Sequence, residues 1–184
     1  KLKKIEDLWS ENYWNAWERD LEKHALPLLR HERDQVEVGA PPIKTKDGWL
    51  VIYSYIKGYH TPRPLFTFEA VLLDLKDPTK IVGRTGLPIM VPEEVYELYG
   101  MIPGVIFPSG VLHKDDTLSI YYGATDTTCA VATVSLKELL RFIKNSEEGE
   151  RKKVAAYFKR SERNPILVPD PQVKWKEKAV FNPA

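Results

Sequence analysis

Hydrophobic and polar positions change their period twice along this chain. Over the first thirty residues Trp14, Trp17, Leu21 and Ala25 fall on one face at helical spacing with charges between them, and Pro27 closes the run. From about residue 48 the period becomes two and the residues become β-branched and aromatic. Trp49–Tyr55, Phe66–Leu75, Val105–Leu112, Thr117–Tyr122 and Thr128–Val134 are the predicted strands, with Asp47-Gly48 and Asp115-Asp116 as turn chemistry ahead of two of them. Helical spacing then returns. Ser135 and Glu138 form a capping-box pattern before Leu136, Leu139, Leu140 and Ile143. A charged connector, Glu147–Lys153, leads to a second amphipathic stretch with Val154, Tyr157 and Phe158, and a proline-punctuated extended tail follows from Asn164.

Two internal echoes bear on architecture. Asp47–Tyr53 (DGWLVIY) is mirrored by Asp116–Tyr121 (DTLSIY), and Leu87–Pro92 (LPIMVP) by Asn164–Pro169 (NPILVP). Recurring meanders of this kind suggest four-stranded sheets repeated about an axis, as in a β-propeller. A β-sandwich whose short apolar strands merely look alike is the competing architecture.

Composition narrows the function classes. With 43% hydrophobic and 29% charged residues the chain can bury a core, which excludes wholesale disorder. Lys plus Arg number 27 against 26 Asp plus Glu, so the net charge of +1 gives no chain-wide footprint for nucleic acid or anionic membrane. No apolar run approaches the roughly 20 residues of a membrane-spanning helix. The lone cysteine, Cys129, excludes an internal disulfide framework and leads us to expect a reducing, cytoplasmic setting. The chain begins at Lys1 rather than methionine, and a piece of a longer protein is expected.

Candidate chemistry lies in carboxylates and aromatics at strand ends and loops. There is no phosphate-cradling glycine loop, nucleophile elbow or Cys/His zinc pattern, and His24, His31, His60 and His113 lack ligand spacing. Asp126, in Tyr121–Thr127 (YYGATDT), sits between two predicted strands where glycine lets a ligand approach; it is either a hydroxyl-binding carboxylate or an Asx-turn residue closing a hairpin. Glu69 interrupts an apolar strand. If Phe66, Phe68, Ala70 and Leu72 share one face, Glu69 shares the other with Val71 and Leu73, as a salt-bridged or desolvated acid. Glu37 is a lone charge in a short apolar run before Gly39-Ala40-Pro41-Pro42, and His60 with Arg63 makes a basic loop able to meet an anion. Glu97, following a proline and two acids, reads as solvated.

Taken in order, several stretches resemble glycoside hydrolase family 130, the β-mannoside phosphorylases and β-mannosidases. They are GAPPI (39–43) with GWLVIY (48–53), AVLLDLKDP (70–78), PIMVP (88–92), Tyr96-Glu97, PGVIFPSG (103–110) and IYYGATDT (120–127). The resemblance covers residues 36 to 142 and the family's C-terminal half. It implies an all-β, five-bladed β-propeller, present in part and flanked by α-helices, with a sugar site in a central funnel. Asn164–Leu167 and Trp175–Pro183 resemble the family's N-terminal opening, out of order here. The expected layout is therefore the end of one propeller domain (1–143), a helical linker (144–162) and the start of a second domain (163–184), or a permuted single domain.

The resemblance also assigns roles. It implies cleavage of β-mannosidic bonds by inverting hydrolysis or phosphorolysis, with the segment by itself inactive, because the family's acidic motif Glu-Asp-Pro-Arg is absent here. Asp126 matches an aspartate that holds the mannose, and Asn182 an asparagine of the opening motif with a similar role. Tyr121, Tyr122 and Phe107 would supply apolar sugar platforms or core. Where phosphorylases read Tyr-His-Gly this chain reads Tyr53-Ser54-Tyr55, and Glu37 stands near the position of a lysine. Those departures favour hydrolysis with Glu37 or Glu69 as the water-activating base. His60 and Arg63 would meet phosphate in the phosphorolytic version. No metal or organic cofactor is implied, only inorganic phosphate as co-substrate. The expected partner is a mannose-containing oligosaccharide, without nucleic acid or membrane and with self-association into a homo-oligomer compatible. A non-catalytic sugar-binding propeller or an interaction platform are the rival readings.

Overall fold

A computed structural model describes residues 3–145 and 158–180. Two antiparallel meanders organise the chain. In the first sheet β1 (Gln35–Val38) and β2 (Ile43–Lys44) both pair with β3 (Trp49–Lys57), followed by β4 (Leu65–Leu73) and β5 (Ile81–Arg84). In the second, β6 (Ile106–Lys114), β7 (Thr117–Ala124), β8 (Thr128–Ser135) and β9 (Lys159–Arg160) follow in order. The five predicted strands form close to their expected bounds. The short strands β1, β2, β5 and β9 were not expected, because two to four residues carry too little alternation to read.

The N-terminal helix is interrupted. A 3-10 turn at Ile5–Trp9 precedes α1 (Glu11–Arg19), capped by the Ser10 hydroxyl accepting from the Tyr13 amide, and Asp20 separates α1 from α2 (Leu21–His24). Its apolar face buries no residue; Trp14 and Trp17 pack edge to face on each other at 5.8 Å.

Alternation in the central strands divides the core. Leu50, Ile52, Phe68, Ala70 and Leu72 meet Ile106, Leu118, Ile120, Tyr122, Ala130 and Ala132 across the two sheets. Val51, Tyr53, Tyr55, Val71 and Leu73 form a second cluster on the other side of the first sheet, under Leu28. Gly39 permits the close approach of the sheets: a side chain there would collide with the Pro108 carbonyl oxygen and the Phe107 ring.

Helix α4 (Leu136–Asn145) ties the sheets together at one end. The Ser135 hydroxyl accepts from the Glu138 amide as the capping pattern predicts, and Asp116 in the β6–β7 turn accepts from the Lys137 amide. At the other end of α4, Lys144 pairs with Asp47 in the β2–β3 turn at 2.9 Å. The β3–β4 and β7–β8 turns therefore project from the opposite end of the sheets, where Phe68 packs edge-on against Tyr122 at 5.6 Å.

The echo LPIMVP/NPILVP has a structural meaning. Met90 bridges Phe68 of β4, and Leu167 bridges Cys129 of β8. Each segment thus extends the outer edge of its sheet. The described part of 163–184, expected to open a second domain, lies on the second sheet: Asn164 brackets Val131 through both backbone groups, and the Val180 amide donates to the Thr127 carbonyl at 3.0 Å. Of the second amphipathic stretch, Val154 and Tyr157 lie outside the described residues, while Phe158 is buried in the core.

Candidate active site

The β7–β8 turn is built around strain. Thr125 and Asp126 both have left-handed backbone, φ 53° and 50°, with the Thr127 amide donating to the Ala124 carbonyl at 3.0 Å, as a primed turn requires. Thr127 completes a three-residue loop between the paired Ala124 and Thr128. For a β-branched residue such as Thr125 this conformation is costly and persists only where the surroundings impose it. They do so here. The Thr125 amide donates to Val105, its carbonyl accepts from Ile102, and its hydroxyl donates to the Tyr96 carbonyl at 3.1 Å. Gly100 passes so close to the Thr125 hydroxyl that a side chain could not fit. The half-buried Asp126 carboxylate accepts no hydrogen bond and makes no ion pair among the described residues. Among the described residues the Asp126 side chain makes no Asx-turn bond, although its backbone lies in the turn that closes the hairpin.

Glu69 follows its predicted face exactly opposite Phe68 and Ala70, sharing it with Val71 and Leu73. It is wholly buried. Arg30 donates to both of its oxygens at 2.7 and 2.6 Å, and the Tyr53 hydroxyl, its cross-strand partner, donates at 2.9 Å. Burial and that neighbouring carboxylate push the Tyr53 phenol well above its ordinary value, so it stays a donor. Arg30 stacks on Tyr55 at 4.6 Å and forms, with Asp34, Tyr55, Lys57 and Thr67, the wall of a pocket of about 240 Å³ that Glu69 floors. As a base, Glu69 would have to shed Arg30.

Glu37 is different. It lies opposite Ser54 in the β1–β3 register, half-buried, and it accepts from the Gln35 side-chain amide at 2.6 Å. The Ser54 hydroxyl is fully buried with no partner among the described residues. His60 and Arg63 are exposed in the β3–β4 turn, at the same end of the sheets as Asp126. Phe107 and Tyr121 lie on the face of the second sheet turned from the main core, Phe107 half-buried and Tyr121 exposed, whereas Tyr122 faces inward. Asn182 lies outside the described residues.

Glu97 corrects the sequence-based expectation. It is wholly buried rather than solvated. Arg160 reaches both oxygens at 2.8 and 2.9 Å, the Tyr122 hydroxyl donates at 2.7 Å, and the Glu93 and Glu94 amides donate to it as well. Two nearby acids and a proline concealed this, since only the fold brings Arg160 to it. Arg30 and Arg160 are the residues that sequence reasoning missed. A glutamate inside an apolar strand was the available signal for Arg30, because a buried carboxylate requires a partner. Among the described residues, no three His, Cys, Asp or Glu side chains cluster as a metal site.

With this geometry in view, comparison with known proteins is decisive on kinship. A family profile described as beta-1,4-mannooligosaccharide phosphorylase matches residues 16–145. The chain belongs to glycoside hydrolase family 130. It is 40% identical over 133 residues to a 1,2-beta-oligomannan phosphorylase of Thermoanaerobacter sp. (strain X514), covering 68% of this chain and 44% of that protein. It is 36% identical over 146 residues to a beta-1,2-mannobiose phosphorylase of Listeria innocua, covering 76% and 39%. The solved Listeria innocua enzyme in complex with beta-1,2-mannobiose superimposes with a TM-score of 0.55 at 38% identity, over 60% of this chain and 30% of that one. The chain spans less than half the length of these curated relatives.

Proposed function

We propose that the whole protein cleaves β-mannosidic bonds and that Asp126 holds the mannosyl ring through its hydroxyls. One observation carries this reading: a strained turn, fixed on every side, presents a carboxylate that no described residue uses. An ionised carboxylate there can accept two hydroxyl hydrogen bonds. In this reading the two meanders are blades of a five-bladed propeller, an assignment supported by the two edge segments that echo each other, and the acid that protonates the leaving oxygen comes from outside this chain.

The attacking group is either water or phosphate. The named relatives are phosphorylases, which favours phosphate, with His60 and Arg63 as its contacts. A specific observation favours water: the position expected to carry a phosphate-contacting histidine holds Ser54, and Glu37 stands across from it. Of the two candidate bases Glu37 is preferred, since Glu69 is neutralised by Arg30. Hydrolysis would then place water on the anomeric carbon, pass its proton to Glu37, and release mannose.

The test is to incubate the full-length protein with β-1,2- and β-1,4-mannobiose, with and without phosphate. Phosphate-dependent mannose 1-phosphate identifies phosphorolysis; phosphate-independent mannose, lost in Glu37→Gln, identifies hydrolysis. No turnover of any mannoside, with no mannose binding, overturns the proposal.

A further inference from the structure

The C-terminal segment grips the Asp126 turn at two places. At the first, Arg160 of β9 holds Glu97 in α3 (Val95–Leu98), with further donation to Glu93 at 3.0 Å and to the Val91 carbonyl at 2.7 Å. That same connection fixes the turn: the Tyr96 carbonyl accepts from Thr125, and the Met101 amide donates to the Thr127 hydroxyl at 2.9 Å. Asn164 adds a bond to the Tyr96 hydroxyl at 3.1 Å. At the second, the Val180 amide donates to Thr127 directly. A segment whose sequence pattern suggested another domain therefore holds Thr127 directly, and Thr125 only through the connection on which Arg160 seats Glu97.

We propose that residues 158–180 are a working part of the Asp126 site, with Arg160 and Val180 as positioning residues for its carboxylate. The reading rests on Asp126 as the mannose contact, but its physical core does not. A left-handed Thr125 relaxes toward ordinary backbone when its restraints go. Arg160 keeps Glu97 ionised and seated; without it the buried carboxylate must protonate or turn out, and α3 follows it. The loss of the Val180 bond frees the other side of the turn without disturbing any charge.

Two variants of the full-length protein separate positioning from general stability. Arg160→Met removes the charge and keeps the length, with Arg160→Lys as rescue. Val180→Pro deletes the N–H that meets Thr127, and its ring also fixes φ at position 180 and restricts Ala179, with no change of charge. Amide exchange of the sugar-free protein is read at Thr125 and Thr127, with Ile120 and Ala130 as internal controls. Val180→Pro is expected to speed exchange at the turn about tenfold while the controls hold, because local opening is independent of global unfolding. In Arg160→Met the controls speed with the loss of global stability, and the turn is expected to speed more than they do. Mannose binding by calorimetry is expected to weaken about fivefold in Val180→Pro and more in Arg160→Met, with partial recovery in Arg160→Lys. Unchanged turn exchange in Val180→Pro, or mannose affinity that follows only the melting temperature, overturns the proposal. If the wild type binds no mannose, the function proposed above fails, and turn exchange alone still decides whether the segment positions Asp126.

Discussion

Glu69 and Glu97 are both wholly buried carboxylates facing an arginine and a tyrosine, yet they are assembled in opposite ways. Glu69 and Tyr53 are cross-strand neighbours on β4 and β3, so the register alone presents them together, and only Arg30 arrives from elsewhere. The Arg30 side chain remains 27% exposed and borders a pocket. Glu97 instead sits on a connection, meets Tyr122 from β7 and Arg160 from β9, and takes two backbone amides as well; Arg160 is only 15% exposed. The first arrangement leaves a charged surface that a ligand could reach. The second is a closed latch between the outer edge of a sheet and the loop that shapes Asp126. Similar chemistry thus serves an accessible wall in one sheet and a mechanical joint in the other.

Removing one partner is the sharpest way to break the comparison. Arg160→Met should cost about 3–5 kcal/mol in urea unfolding, because it strands a wholly buried carboxylate. Replacing both partners, as Glu97→Leu with Arg160→Met, should recover most of that loss, which a double-mutant cycle would detect. Arg30→Met should cost less, about 2 kcal/mol, because its pocket admits water to Glu69. Equal losses for the two arginines would erase the distinction drawn here.

Acid gives the next largest effect. Burial pushes the Glu97 carboxyl up, but the donors from Arg160, Glu93, Tyr122 and Glu94 outweigh it and hold it below the ordinary carboxylate range. A folded value below the unfolded one means that its stabilisation is complete above the unfolded value and disappears as pH falls through the folded value. The melting temperature should therefore fall as pH drops below about 4, and Glu97→Gln should flatten that fall.

Smaller effects are expected where a side chain has no protein partner. Asp126→Asn should leave the melt within about 0.5 kcal/mol of wild type while weakening mannose binding, checked by calorimetry. Ser54→Ala should be neutral or stabilise by up to about 1 kcal/mol, since it removes a buried hydroxyl that bonds to nothing described. A marked loss on Ser54→Ala would reveal a partner for that hydroxyl and weaken the case for Glu37 acting beside it.

Much of this was legible in the residues themselves. Period-two alternation located β3, β4, β6, β7 and β8, the Asp-containing turns separated them, and Ser135 with Glu138 marked the start of α4. The face occupied by Glu69 followed from parity alone. The edge segments were visible only as an echo, because bridges of one residue carry no periodic signal. The solvated reading of Glu97 failed for a related reason: local composition reports what surrounds a residue in sequence, while burial is decided by what packs on it.

By itself the sequence determined the local geometry, which depends on neighbours a few residues away: alternation, turn chemistry, caps and the parity of each strand. Only the tertiary structure decided where charge could be buried. Arg30 lies 39 positions from Glu69, and Arg160 lies 63 from Glu97. A carboxylate leaves water only when its cation arrives with it, and that meeting is a property of the packed sheets rather than of any stretch of chain.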